Sequence, residues 1–148
     1  MGPNAFEQEQ PVTRRPDWQQ RLDAFLRDHQ FEPFHYGRWD CGLFVCSAID
    51  VMTGVDPAAN LRSAYSSPRE AIQTLRARGL RSVEALVESV TTEYRMPETP
   101  VTRAQRGDVA LVRRSLGLVA LNGRDVLLAS HKGLWRVPLS MASRAWRV

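Results

Sequence analysis

The stretch "HYGRWDCGLFVCSAIDVMTG", residues 35–54, holds both cysteines of the chain. Asp40 precedes an apolar run with helical spacing, Leu43, Phe44, Ala48, Ile49 and Met52, and Gly54 closes it. An aspartate there accepts the free N–H groups of a first turn, and a glycine ends the helix, so the pattern predicts a helix that starts at Asp40. Cys41 then lies at the helix N-terminus. The macrodipole and unpaired N–H groups of that position lower a thiol pKa and can hold an oxyanion, so Cys41 is a candidate nucleophile. Cys46 falls inside the same helix. Five helical residues set the two Cα atoms ~8 Å apart with diverging side chains, which excludes a disulfide between them. No histidine pair stands beside them to complete a zinc site.

Outward from this helix the chain divides in two. On the N-terminal side, "PDWQQRLDAFLRDHQ" predicts an amphipathic helix with Trp18, Leu22, Phe25 and Leu26 on one stripe. Asp17 is its expected cap and Gln20 the returning partner. "SPREAIQTLRARG" predicts a third helix, with Ser67 as cap, Pro68 at the first helical position, Glu70 completing the capping box and Gly79 as stop. "SVEALVESV" predicts a short fourth. After Pro100 the runs "GDVALVRR", "LGLVAL", "RDVLLAS", "GLWRVPL" and "RAWRV" are short and apolar or β-branched. Asn122-Gly123 is a strong hairpin signal, and "HKG" at 131–133 is a second tight turn. Helices followed by an antiparallel meander of about five strands is an α+β pattern. Trp135 and Trp146 are expected to close the sheet against the helices.

The whole chain, 148 residues, fits one domain, residues 16–148, behind a polar arm at residues 1–15 without periodicity. An apolar content of 43% and a charged content of 24% are those of a water-soluble protein. No apolar run reaches the ~20 residues of a membrane span, and the first residues lack the apolar core of a signal peptide. The formal charge is +4 and the pI about 9.7. The basic residues are arginines apart from Lys132, and their excess lies beyond residue 60. They are scattered and not interleaved with aromatics, which argues against a nucleic-acid platform and for a solvated face or one that meets an acidic partner.

A cysteine at a helix start, packed against a later antiparallel sheet, is the arrangement of papain-like enzymes, in which the sheet supplies a histidine base and a polar residue that orients it. "YGRWDCGLFV" resembles the motif of NlpC-type cell-wall cysteine peptidases through Tyr36, Asp40, Cys41, Phe44 and Val45, with Gly42 and Leu43 in place of Ser-Gly. "RGDVALV" at 106–112 and "SLGLVALNG" at 115–123 resemble two strands of that family. The resemblance implies a papain-like NlpC-type fold. It also puts the family's histidine at Ser115 and its third polar residue near Leu128, neither of which can act as base or orienter. Of the three histidines, His29 ends the first helix and is expected to face solvent. His35 and His131 are left as weak base candidates, one on the loop before Cys41 and one in a turn.

"RPDWQQRLDAFL", "YGRWDCGLFVCSAIDVMTGVDP", "RGDVALV", "LGL", "GLWRVPL" and the closing Ala145-Trp146-Arg147 also resemble a set of small phage and prophage proteins related to the NlpC group. That resemblance implies a degenerate site and a structural place in a tail tip or baseplate, among hub, distal-tail and central tail-tip proteins. The particle would be assembled in the host bacterial cytoplasm. The alternative is an active cysteine peptidase or amidase that cuts peptidoglycan during genome entry, using Cys41 with His131 or His35. Neither reading calls for a cofactor or a metal.

Overall fold

A computed structural model describes residues 12–148. Four helices come first, α1 (Trp18–Asp28), α2 (Cys41–Thr53), α3 (Pro68–Ala77) and α4 (Val83–Glu93). Six strands follow, β1 (Glu98–Thr99), β2 (Val109–Val112), β3 (Ser115–Val119), β4 (Asp125–Ser130), β5 (Gly133–Pro138) and β6 (Arg144–Trp146). They form one sheet in the order β1-β6-β2-β3-β4-β5, and every pairing is antiparallel. The fold class is therefore α+β. The strand beyond the expected five is β1, two residues too short for a periodic signal.

The helix boundaries follow local chemistry. Asp40 caps α2 with its Oδ1 on the Leu43 N–H at 2.9 Å. Ser67 caps α3, and Ser82 caps α4, which runs one turn beyond the expected end. The α1 cap differs from expectation. Asp17 makes no capping bond; both its oxygens face the Arg21 Nε at 2.9 Å. An ion pair one turn along competes for the same carboxylate and wins here. Glu70 also departs from the expected box: its N–H donates to the Ser67 hydroxyl, but its carboxylate accepts from Ser66 and not from the Ser67 N–H.

The turns explain the meander. His131 and Lys132 make the two-residue connection that pairs Ser130 with Gly133. Asn122 organises a longer loop by accepting from the Arg124 and Asp125 N–H groups. The β2–β3 turn carries no glycine; Arg113 takes φ 56° itself.

Side chains alternate between the two faces of the sheet. Val109, Leu111, Leu116, Leu118 and Leu127 meet Leu22, Phe44, Ile49 and Met52 of the helices in the main core. Ala110, Val112, Val119 and Val126 point the other way, onto Ala104, Leu139 and Ala142 of the connecting segments. Trp146 is 2% exposed and belongs to the main core. Trp135 corrects the expectation: it is 62% exposed on the edge strand β5, paired with Leu128 on the face opposite the four α-helices.

Residues 1–11 of the expected arm lie outside the described residues. Its last part, Val12–Arg15, is not free but held on the domain. Val12 packs on the main core, and the Arg15 N–H bonds the Met52 carbonyl at 2.8 Å. Arg14 donates to the carbonyls of Val148 and Arg106 and to the Asp108 carboxylate, while its guanidinium lies 4.2 Å from the Trp18 ring centre. A basic pair in a polar stretch gives no periodic signal, so its anchoring partners are visible only in the fold. Asp108, in the "RGD" triplet, is fully buried and accepts from Arg14, Gln105 and Val148, which makes the triplet a structural junction. No helix among the described residues is long and apolar enough to cross a membrane.

Candidate functional site

Cys41 is the first residue of α2, and its neighbours are fixed by Asp40. The Asp40 carboxylate accepts from the Leu43 N–H, from the Gly37 N–H at 3.1 Å and from the Tyr65 hydroxyl at 2.5 Å. Both the helix start and the preceding loop hang on this one buried group. Gly37 has φ 82°, and a Cβ there would come within 1.7 Å of the Tyr65 carbonyl oxygen, so only glycine fits the turn. Trp39 is buried beside Phe25, His29 and Phe44, and its indole N–H has no partner.

Opposite Cys41 the sheet parts. β3 pairs with β4 only at Leu118–Leu127 and Val119–Val126, although β4 continues to Ser130. Ser115, Leu116 and Gly117 therefore have no ladder partner on that side. The hairpin closes on Val112–Ser115, so the next pair, Leu111–Leu116, is a wide one whose N–H groups point outward. The Leu116 N–H meets the Cys41 sulfur and favours its thiolate. Burial opposes this more strongly, the Asp40 charge adds to the burial, and the Cys41 pKa is raised above the ordinary thiol value. Burial also pushes Cys46 up, to about 12. Both thiols are free.

The resulting cleft has a volume of about 320 Å³. Phe34, Tyr36, Tyr65, Leu75, Leu86 and Leu116 give it an apolar lining, with Arg114 and Ser115 at the sheet end. No histidine lines it. Strand alternation gives the helix side of β3 to Leu116 and Leu118 and sets Ser115 across from Val112 on the far side. In β4 the helix side likewise belongs to Leu127 and Ala129, while Leu128 packs on the far face. On the helix side of these two strands the cleft is thus lined by Leu116 and Ala129, the neighbours of Ser115, which lies at its edge, and of Leu128, which does not line it. Leucine and alanine have no proton to exchange.

The histidines are engaged elsewhere. The His35 Nδ1 lies 2.9 Å from the carbonyl of Tyr36, and the residue is exposed. His131 is exposed in its turn, with its ring 5.9 Å from that of Phe34. His29 is not simply solvated as expected. It stacks on Trp39 at 4.7 Å, and its Nδ1 lies 3.0 Å from a Glu32 oxygen. Tyr65, which holds Asp40, carries no motif signal, because it is brought in from a loop 25 positions away. Among the described residues no group of three or more His, Cys, Asp or Glu is placed to hold a metal ion.

Fold and cleft together define an α+β domain with a helix-start cysteine in a largely apolar groove that no histidine among the described residues lines. The chain belongs to a family described as a domain of unknown function, DUF6950, whose model matches residues 13–148. That span begins at the residue before Arg14 and so includes the Arg14 and Arg15 anchors of the arm. No curated protein matches the chain.

Proposed function

We propose that this chain is a non-catalytic relative of the NlpC-type, papain-like peptidases that serves as a structural component of a phage or prophage tail tip. The observation that carries the reading is the Cys41 cleft. A thiol at a helix start faces an antiparallel sheet, as in a cysteine peptidase, yet the sheet side of the cleft offers Ser115, Leu116 and Ala129, none of which can act as a base. A thiol kept protonated by burial and by the neighbouring Asp40 charge, with no histidine in the cleft, is a poor nucleophile. What remains is a shaped apolar groove on a stable scaffold. The sequence resemblance to small tail proteins supplies the place: contacts with hub, distal-tail and central tip proteins, in a virion assembled in the bacterial cytoplasm.

Two measurements test this in the phage or prophage that carries the gene. Mass spectrometry of purified particles should find the protein, and Cys41→Ser should plate at nearly the wild-type level. Absence from the particle would remove the structural role. Normal particles that fail to plate with Cys41→Ser, together with muropeptide release by the purified wild-type protein, would establish the peptidoglycan peptidase instead.

A further inference from the structure

We propose that residues 66–82, α3 with the turns on either side of it, form a hinged cover that opens as a unit and sets access to the Cys41 thiol. No residue of α3 is buried. Only Ala71, Thr74 and Leu75 are shielded, and these three line the cleft over Cys41. Their spacing places them on one face of the helix, so α3 touches the body through its underside alone. Ile72, on the outer face, is 51% exposed.

The polar contacts say the same. The hydrogen bonds of residues 66–82 stay within the segment or reach the first turn of α4: Ser66 and Ser67 with Glu70, Thr74 with Glu70, Leu80 with Leu75, Ala85 and Leu86 with Ser82. No ion pair joins the segment to the rest of the described chain. Firm anchors stand just outside it. On one side the Ser63 N–H bonds the Gly37 carbonyl, and the Tyr65 hydroxyl bonds Asp40. On the other, Glu84 and Glu88 of α4 bind Arg144 of β6. Each flank also has a residue in the left-handed region, Ser63 at φ 62° and Gly79 at φ 75°, the latter with open space around it. An element with few buried contacts and self-contained hydrogen bonds opens at low cost while its surroundings stay folded. The cover stands on these contacts alone, whether or not the chain serves in a tail tip.

Hydrogen exchange and thiol labelling of the full chain test the cover. Amides of α3 should exchange at least ~100-fold faster than those of Phe44–Met52 in α2. Maleimide, located by peptide mapping, should label Cys41 in native buffer much faster than Cys46, without need of denaturant. Leu75→Ala and Tyr65→Phe should raise the Cys41 rate about tenfold, whereas Ile72→Ala should not, and the Cys46 rate should stay constant as a monitor of global unfolding. The proposal is overturned if α3 amides are as protected as those of α2. It is overturned equally if Cys41 and Cys46 label at one common, denaturant-dependent rate, or if Cys41 labels at the speed of a free thiol in every variant. The exchange measurement on the wild type decides the matter even where a variant fails to fold.

Discussion

Asp40, more than Cys41, holds the site together. Its carboxylate ends three donors, two of them backbone N–H groups, in a buried setting. Asp40→Ala leaves those donors unpaired and should cost about 2–4 kcal/mol in urea unfolding. Cys41→Ser changes one atom and leaves an acceptor for the Leu116 N–H, so its loss should stay within about 1 kcal/mol. A larger loss than that of Asp40→Ala would mean that the sulfur, not the cap, organises the helix start. Cys46 has a separate signature. Its folded pKa, about 12, stands above the ordinary 9.0. Between those values the unfolded chain releases the proton and the folded chain keeps it, so fewer protons are bound on unfolding and stability falls as pH rises. The slope is at most about 1.4 kcal/mol per pH unit, beginning near pH 9 and absent below it. Cys46→Ala should make that alkaline limb shallower, the raised Cys41 thiol keeping part of it, measured by urea unfolding from pH 8 to 10.5; an unchanged limb would place the titration elsewhere.

Among the elements, the sheet shows which parts of the fold were legible. The antiparallel run β3-β4-β5 followed from turn chemistry at Asn122-Gly123 and at 131–133, because those turns announce themselves by residue type, whereas the return of β6 to pair with β2, which departs from a simple meander, did not. The parting of β3 from β4 did not, because it is a failure to pair and leaves the alternation of "SLGLV" and "DVLLAS" intact. For the same reason the sequence does not show that Leu116 and Ala129 line the cleft together with Ser115, or that Leu128 packs on the other face. Motif matching gives the strand; the pairing register gives the face. Gly117 marks where the parting begins. A Cβ there would lie 2.4 Å from the Val126 Cγ1 and 2.7 Å from the Leu127 carbonyl oxygen, an atom that cannot swing aside. Gly117→Ala should therefore push β4 away from β3 and cost about 1–3 kcal/mol. Accelerated exchange of the Leu118 and Leu127 amides would locate the damage; unaltered stability would show that the strands already have slack at this point.

At the scale of the whole molecule, the chain is tied at Asp108. This buried carboxylate gathers the start of the domain through Arg14, the start of β2 through Gln105, and the last strand's extension through Val148. The sequence announced a strand start at "RGDVALV" but not this junction, since two of its three partners, Arg14 and Val148, come from segments far away in the chain. Burial pushes the Asp108 pKa up and that of Arg14 down, although each favours the charge of the other. The pair is therefore costly to hold, and costlier still to break, because removing one partner strands a buried charge. Arg14→Ala should destabilise the domain by ~3 kcal/mol, and Arg14→Lys should recover only part of that, because a lysine cannot reach Val148, Arg106 and Asp108 together. This bears on how the arm is tested. A deletion of residues 1–15 removes Arg14 and Arg15 and would lower incorporation into any particle through lost stability alone. A deletion that stops at Pro11 keeps the clamp. If the arm docks on a neighbouring tail protein, the shorter deletion should reduce incorporation while its melting temperature stays at the wild-type value. Full incorporation of that variant would leave residues 1–11 without a docking role.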